Sequence, residues 1–202
     1  MRKYILTLSI IVSLSIQAAI QPADFSRMRQ RMLNDIVLAP EKYNPEHPAI
    51  KQYIEKYALL ADSLWQTMRQ DTTFLWEDQA ILIGDKAYTP YHVHRSYLRL
   101  HAMTLAWGYP SSPLYHNEAL LAAIRYGLNL LASGPYNPAT QKVGNWWEWC
   151  IGIPFDYSHI VCILYDVLTP EELQQFEQCA TYRVRPIVAR RHSFARSCEM
   201  GI

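Results

Sequence analysis

The chain has 202 residues, 50% of them hydrophobic and 18% charged, with 12 Pro and 7 Gly. That balance excludes a disordered tail, a collagen-like fibre and a disulfide-dense mini-protein, and it allows one domain with a real core. Nineteen basic against eighteen acidic side chains leave a formal net charge of +1, so the charge demands neither nucleic acid nor an anionic membrane as partner.

The first residues read as an export signal. Arg2 and Lys3 precede an apolar run from Tyr4 to Ile16, and Gln17-Ala18-Ala19 supplies small residues for a peptidase. The run is well short of the roughly 20 apolar residues of a membrane span. A signal peptide over 1–19 is expected, with a secreted or periplasmic product and no membrane association after cleavage. Four cysteines, Cys150, Cys162, Cys179 and Cys198, would meet an oxidising compartment and permit three full pairings. None forms a C-x-x-C pair. Cys162 sits in an apolar run and reads as a buried small hydrophobe, and no catalytic thiol is expected.

The rest reads as helix. Phe25, Met28, Met32 and Ile36 recur at helical spacing over 25–38, with Pro40 as the stop. After a turn at Pro45–Pro48, Ile50, Tyr53, Ile54, Tyr57, Leu60, Ala61, Leu64, Trp65 and Met68 form a long amphipathic stripe. Residues 71–90 are less regular, with a turn signal at Gly84-Asp85. Thr89-Pro90 opens a helix that ends at Gly108, and Ser112-Pro113 repeats the device for a helix over 114–132 ending at Gly134-Pro135. Residues 151–168 follow as a helix, and Thr169-Pro170-Glu171-Glu172 is a capping box for one more. No run alternates with period two. The expectation is an all-α chain of antiparallel helical hairpins. Five arginines fall in the last twenty residues, and 188–202 reads as a basic irregular tail, a frayed or truncated end.

The informative segment is Gly144-Asn145-Trp146-Trp147-Glu148-Trp149-Cys150-Ile151-Gly152-Ile153-Pro154. On a helix Trp146 and Trp149 would share a face and Trp147 would point elsewhere, so one buried stripe cannot hold all three. Each indole covers roughly 150–250 Å². The segment therefore offers a stacking wall for sugar rings, with Asn145 as an adaptable hydrogen-bond partner, or else all three indoles pack between helices.

Asn-Trp-Trp-x-Trp-x-Ile-Gly-Ile-Pro at 145–154 resembles the signature of polysaccharide lyase family 8, the hyaluronate, chondroitin AC and xanthan lyases. Leu75-Trp76-Glu77-Asp78 is similar to the family's short aromatic-acidic segment, and Tyr97-x-Arg99-Leu100-x-x-Met103-x-x-Ala106 to its next helix, which Tyr109–Leu131 continues. The resemblance runs from about Phe25 to Ile187 and implies an incomplete α/α toroid over 20–187. It further implies that an acidic, uronate-containing polysaccharide is bound for β-elimination and that β-rich lyase domains complete the enzyme. In that pattern Asn145, Trp146 and Trp147 are the substrate-binding residues, and Trp149 is assigned to packing. The family's usual Glu is replaced by Cys150. The Asn, His, Tyr and Arg of its elimination machinery follow the Trp motif by tens of residues, so no catalytic residue is assigned here. No metal or other cofactor is implied.

Two other classes fit parts of the same pattern. One is a non-catalytic glycan-binding helical module using Trp146 and Trp147. The other is a glycoside hydrolase relative, with Glu148 and Asp156 as the acid/base pair. His94 and His101, seven apart, share a helix face, but zinc there would lack a third ligand. Asp62, Arg69 and residues 171–177 read as solvated helix faces. The apolar stripe Leu120-Leu121-Ile124-Leu128-Leu131 is expected to lack partners if only part of a ring is present, making the chain marginally stable.

Overall fold

The computed structural model describes residues 22–70, 74–79, 82–83, 87–140 and 144–180. They fall into two compact units, 1–32 and 33–202. The first is represented by the N-terminal part of helix α1 (Pro22–Ile36), where Arg27 pairs with Asp24 one turn away at 3.1 Å. The expected signal peptide and basic tail lie outside the described residues, as does Cys198.

Helix α1 begins three residues before the expected start, with Pro22 in its first turn, where a missing N–H costs nothing. It stops short of Pro40 for a reason of its own. Leu38 takes a left-handed conformation at φ 51°, while the Leu38 and Ala39 N–H groups donate back to the Asp35 and Asn34 carbonyls. This is the Schellman ending, made with Leu where Gly is usual.

Helix α2 (Pro48–Thr67) has Pro48 in its first turn and His47 as its N-cap, whose Nδ1 accepts from the Ala49 N–H at 3.3 Å. Its buried face is narrow and small, Ile54, Ala58 and Ala61. That lets helix α3 (Pro90–Gly108) approach closely.

The connection between them is fastened by the aromatic-acidic segment. Trp76 is buried and donates its Nε1–H to the Leu64 carbonyl at 3.0 Å. The Arg99 guanidinium lies 5.2 Å from the Trp76 ring and grips Asp78 with two bonds of 2.7 and 2.5 Å. Arg99 holds the Asp78 carboxyl well below the usual carboxylate range. Arg69, read as a solvated position, pairs with Glu77. A two-residue antiparallel ribbon, Leu82–Ile83 against Ala87–Tyr88, follows. It is too short for period-two alternation to mark it in the sequence.

Helix α3 is the central element, packed against α2, helix α4 (Glu118–Ser133) and helix α5 (Ile153–Leu164). From Ala102 to Gly108 every residue is buried, so this half shows no single apolar stripe. Its buried hydroxyls bond back one turn, Ser96 to the His92 carbonyl and Thr104 to the Leu100 carbonyl. Thr89 is its N-cap by backbone conformation and makes no side-chain capping bond.

Helix α4 starts at Glu118, four residues later than the Ser112-Pro113 pair predicts. Ser112 caps only a turn, accepting from the Leu114 N–H at 3.1 Å. His116 then adopts φ 51°, and Asn117 is the true N-cap, accepting from the Leu120 N–H at 2.9 Å.

Residues 170–180 form helix α6. Its capping box is present: Thr169 Oγ1 accepts from the Glu172 N–H, and Glu172 Oε2 accepts from the Thr169 N–H. Glu172 is not on a solvated face, contrary to the sequence reading. It is buried, holds Arg125 of α4 with bonds of 3.0 and 2.8 Å, and accepts from Asn129. Cys179 Sγ lies 3.8 Å from the Ala132 carbonyl on the same interface.

With α3 and α6 against α4, the stripe Leu120, Leu121, Ile124, Leu128 and Leu131 is buried throughout. The expectation that it lacks partners is overturned: each of these side chains already belongs to the core. Cys150, Cys162 and Cys179 are buried. The described chain is all-α apart from the short ribbon, and among the described residues no helix is long and apolar enough to cross a membrane.

Candidate functional site

The Trp-rich segment enters α5 through a wide turn. Gly144 takes φ 69°, a conformation costly for any residue with a Cβ, and turns the chain into Asn145. The Asn145 side-chain oxygen accepts the Trp147 N–H at 3.2 Å, so this oxygen shapes the local backbone. Residues Glu148–Gly152 then form a π-helical turn, closed by a bond from the Ile153 N–H to the Glu148 carbonyl. Pro154 explains the turn. It has no N–H to give the Cys150 carbonyl, and its ring would clash there in a regular helix, so the helix widens by one residue.

Widening decides where the three indoles go. Trp146 is 62% exposed and Trp147 44%, whereas Trp149 is fully buried. The helical expectation that Trp146 and Trp149 share a face is corrected, because the π turn changes the angular spacing. Trp149 packs parallel to the Tyr136 ring, which donates its hydroxyl to the Trp149 carbonyl at 3.3 Å. Trp146 and Trp147 are left adjacent and exposed beside Asn145. Trp76 and Trp107 are buried like Trp149.

Beneath Trp147 lies a cluster of acids and imidazoles. His94 of α3 meets the Trp147 ring edge-on, centroids 5.6 Å apart. Its Nδ1 faces a Glu148 carboxylate oxygen, and its Nε2 lies 3.1 Å from Asp156 Oδ2. The other Asp156 oxygen accepts from His101 Nδ1 at 2.9 Å. The His101 and His159 rings touch at 5.1 Å. An ionised carboxylate only accepts, so bonding to both neighbours requires a proton on each His94 nitrogen.

Burial alone would pull His94 down, but the Asp156 hydrogen bond and the Glu148 charge outweigh it and raise its pKa above the ordinary 6.5. Burial likewise penalises the Asp156 carboxylate, yet hydrogen bonds from His101 and His94 leave it below its ordinary 3.8. His159 is pushed down, first by burial and then by the charge of His101.

Gly152 sits in the middle of this cluster. A Cβ there would lie 2.6 Å from His94 Cε1, 2.8 Å from His94 Nε2 and 2.8 Å from Trp147 Cζ3. The glycine is therefore what admits the imidazole and the indole together. The glycoside-hydrolase pairing of Glu148 and Asp156 is corrected by the same geometry. Asp156 has a side-chain exposure of 4%, and both carboxylates are engaged by one histidine. The shared face of His94 and His101 is real, but its ligand is a carboxylate. Among the described residues no His, Cys, Asp and Glu group of three or more is arranged to hold a metal.

Farther along α3 the side chains of Tyr53, Tyr57, His101, Leu105, Tyr109 and His159 border a cavity of about 580 Å³. The three phenols crowd together, with Tyr53 and Tyr57 centroids 4.8 Å apart. The Tyr57 hydroxyl is pushed up to about 12 by its hydrogen bond with Tyr53 and by burial. This cavity was not legible in the sequence, where Tyr53 and Tyr57 read as helix stripe.

Helical hairpins packed in this way place the chain among the α/α-toroid proteins. The family described as polysaccharide lyase family 8, N-terminal alpha-helical domain, matches residues 33–195, and the chain belongs to that family. A hyaluronate lyase of Enterococcus faecalis is 28% identical over 155 residues, 75% of this chain and 15% of the relative. A xanthan lyase of Bacillus is 29% identical over 142 residues, 69% of this chain and 15% of that protein. The solved chondroitin AC lyase of Streptomyces coelicolor superposes with a TM-score of 0.70 at 28% identity, covering 79% of this chain and 20% of that one. The chain thus spans 15–20% of the length of these relatives.

Proposed function

We propose that this chain is the substrate-binding N-terminal part of a secreted polysaccharide lyase acting on uronate-containing polymers. Its share of the work is to hold the polymer by stacking sugar rings on Trp146 and Trp147. The observation that carries this reading is the selective exposure of two adjacent indoles in a molecule that buries Trp76, Trp107 and Trp149. Exposed adjacent indoles oppose solubility unless they have a ligand, and flat apolar faces beside amide and carboxylate groups suit the alternating apolar and hydroxyl faces of a sugar chain. The relatives are named as hyaluronate, xanthan and chondroitin lyases, which supports an acidic polysaccharide as the partner.

β-Elimination needs a base beside the proton next to the uronate carboxylate and a neutraliser for that carboxylate. The carboxylates nearest the indoles are committed to His94, so the elimination step is assigned to groups outside this chain's described residues. Export is proposed from Arg2, Lys3 and the apolar run to Ile16, and N-terminal sequencing of the secreted protein should begin near Ala19 or Ile20.

Calorimetric titration with hyaluronan, chondroitin and xanthan oligosaccharides tests the binding role. Trp146→Ala and Trp147→Ala should each weaken binding about 10- to 100-fold, as for a central aromatic anchor. Unchanged affinity in both variants would reject the stacking wall.

A further inference from the structure

We propose that His94 is a positioning residue for the sugar wall: its imidazolium, clamped between Glu148 and Asp156, fixes Trp147, so polymer binding follows the protonation of one half-buried histidine. The proposal rests on reading Trp146 and Trp147 as the binding pair.

Three independent features join His94 to Trp147. The rings meet edge-on at 5.6 Å. Both rings crowd the position of the missing Gly152 Cβ, so neither has slack on that side. Glu148 directly follows Trp147 in the chain, and its carboxylate is held by His94 Nδ1. Fixing Glu148 fixes the first residue of the π turn, to which Trp147 is directly joined as the preceding residue.

The groups facing His94 determine what loss of its proton does. From the π turn comes Glu148, and from α5 comes Asp156, whose second oxygen is held by His101 of α3. His159 of α5 touches the far side through His101. Asp156 is the deeper and better-anchored carboxylate, with two imidazole partners. A neutral His94 therefore keeps its Nε2–H on Asp156 and presents a bare Nδ1 lone pair to Glu148. Lone pair and carboxylate repel, Glu148 leaves, and the start of the π turn next to Trp147 loosens. Because the two carboxylates outweigh burial and raise His94, the wall is intact on the acid side. It is lost as pH rises through a point above the ordinary imidazole value.

The test uses the full chain labelled with 5-fluorotryptophan, whose six indoles give six fluorine signals, with that of Trp147 assigned by its absence in Trp147→Phe. In a titration from about pH 5 to about pH 9, the range in which histidine titrates, the Trp147 signal should move with one midpoint above the ordinary imidazole value. Hyaluronan affinity should fall about tenfold or more with the same midpoint, the effect of one lost charge-assisted bond. His94→Gln, which cannot titrate, should flatten both profiles. Glu148→Gln removes one of the charges that raise His94 and should lower the midpoint; it carries the test if His94→Gln fails to fold by circular dichroism. A Trp147 signal indifferent to pH in the unmodified chain overturns the proposal, as does a transition that persists in His94→Gln or an unmoved midpoint in Glu148→Gln. A Trp147 signal that follows His94 in a protein that binds none of the polymers supports the clamp and overturns the sugar-binding reading instead.

Discussion

Replacing Gly152 by Ala sets two effects of opposite sign against each other. Gly152 has helical backbone angles, φ −59° and ψ −61°, so Ala fits the backbone, and helix propensity alone favours the substitution by about 1 kcal/mol. The new methyl group, however, would meet His94 Cε1 at 2.6 Å and Trp147 Cζ3 at 2.8 Å. Each must retreat by about 0.6–0.8 Å to reach the shortest ordinary van der Waals contact, the scale on which overpacking costs about 1–3 kcal/mol. His94 has no free direction, because both nitrogens are held, one of them 3.1 Å from Asp156. Its retreat breaks a charge-assisted bond worth about 1.5–3 kcal/mol. The sterics win, and a net loss of about 2–4 kcal/mol lowers Tm by about 5–15 °C for a domain of this size. Scanning calorimetry measures it, with Gly127→Ala as the internal control. A Cβ at Gly127 meets the Leu100 and Met68 side-chain ends at 2.7 and 3.0 Å, which can swing aside, so its cost should stay within about 1 kcal/mol. A Gly152→Ala protein as stable as its parent would refute the crowded junction of His94, Trp147 and residue 152.

Glu172→Ala removes both the reciprocal cap of α6 and the two-point clamp on Arg125, and should cost about 2–4 kcal/mol in chemical denaturation; a loss below about 0.5 kcal/mol would show that solvent replaces these bonds. Stability should also depend on pH with a definite shape. The raised His94 contributes fully below its ordinary 6.5, and this is lost as pH rises through its folded value. The lowered Asp156 contributes above its ordinary 3.8, and this is lost as pH falls through its folded value. These two groups together favour the interval between 3.8 and 6.5. Urea midpoints taken across pH should fall on the alkaline side in the unmodified chain and less so in His94→Gln; parallel profiles would contradict the assignment.

Much of the fold was legible because helix punctuation is local. The capping box at Thr169–Glu172 and the proline at 90 mark helix starts correctly, since each acts on backbone groups within one turn. Local signals also misled. Ser112-Pro113 has the chemistry of a helix start, but the left-handed His116 defers the helix to Asn117. The end of α1 falls at a left-handed Leu38, which no glycine marks. The site was half legible. A three-Trp run cannot bury on one face, and that much of the argument holds, but helical spacing pairs Trp146 with Trp149, whereas the π turn buries Trp149 and leaves Trp146 and Trp147 exposed. The acid–imidazole cluster was not legible, because His94 lies 54 residues from Glu148 and 62 from Asp156. The available hint was the glycine between two carboxylates two turns apart, Glu148 and Asp156, which marks a close approach by something from another helix.

The most direct test of the central claim is hyaluronan-oligosaccharide binding to the unmodified chain and to Trp147→Ala, with Trp149→Phe alongside. The account predicts saturable binding that Trp147→Ala weakens at least about tenfold, while Trp149→Phe lowers stability and leaves the affinity of the folded fraction unchanged. Equal affinity in the unmodified chain and Trp147→Ala, or no binding of any uronate polymer by the unmodified chain, would contradict it.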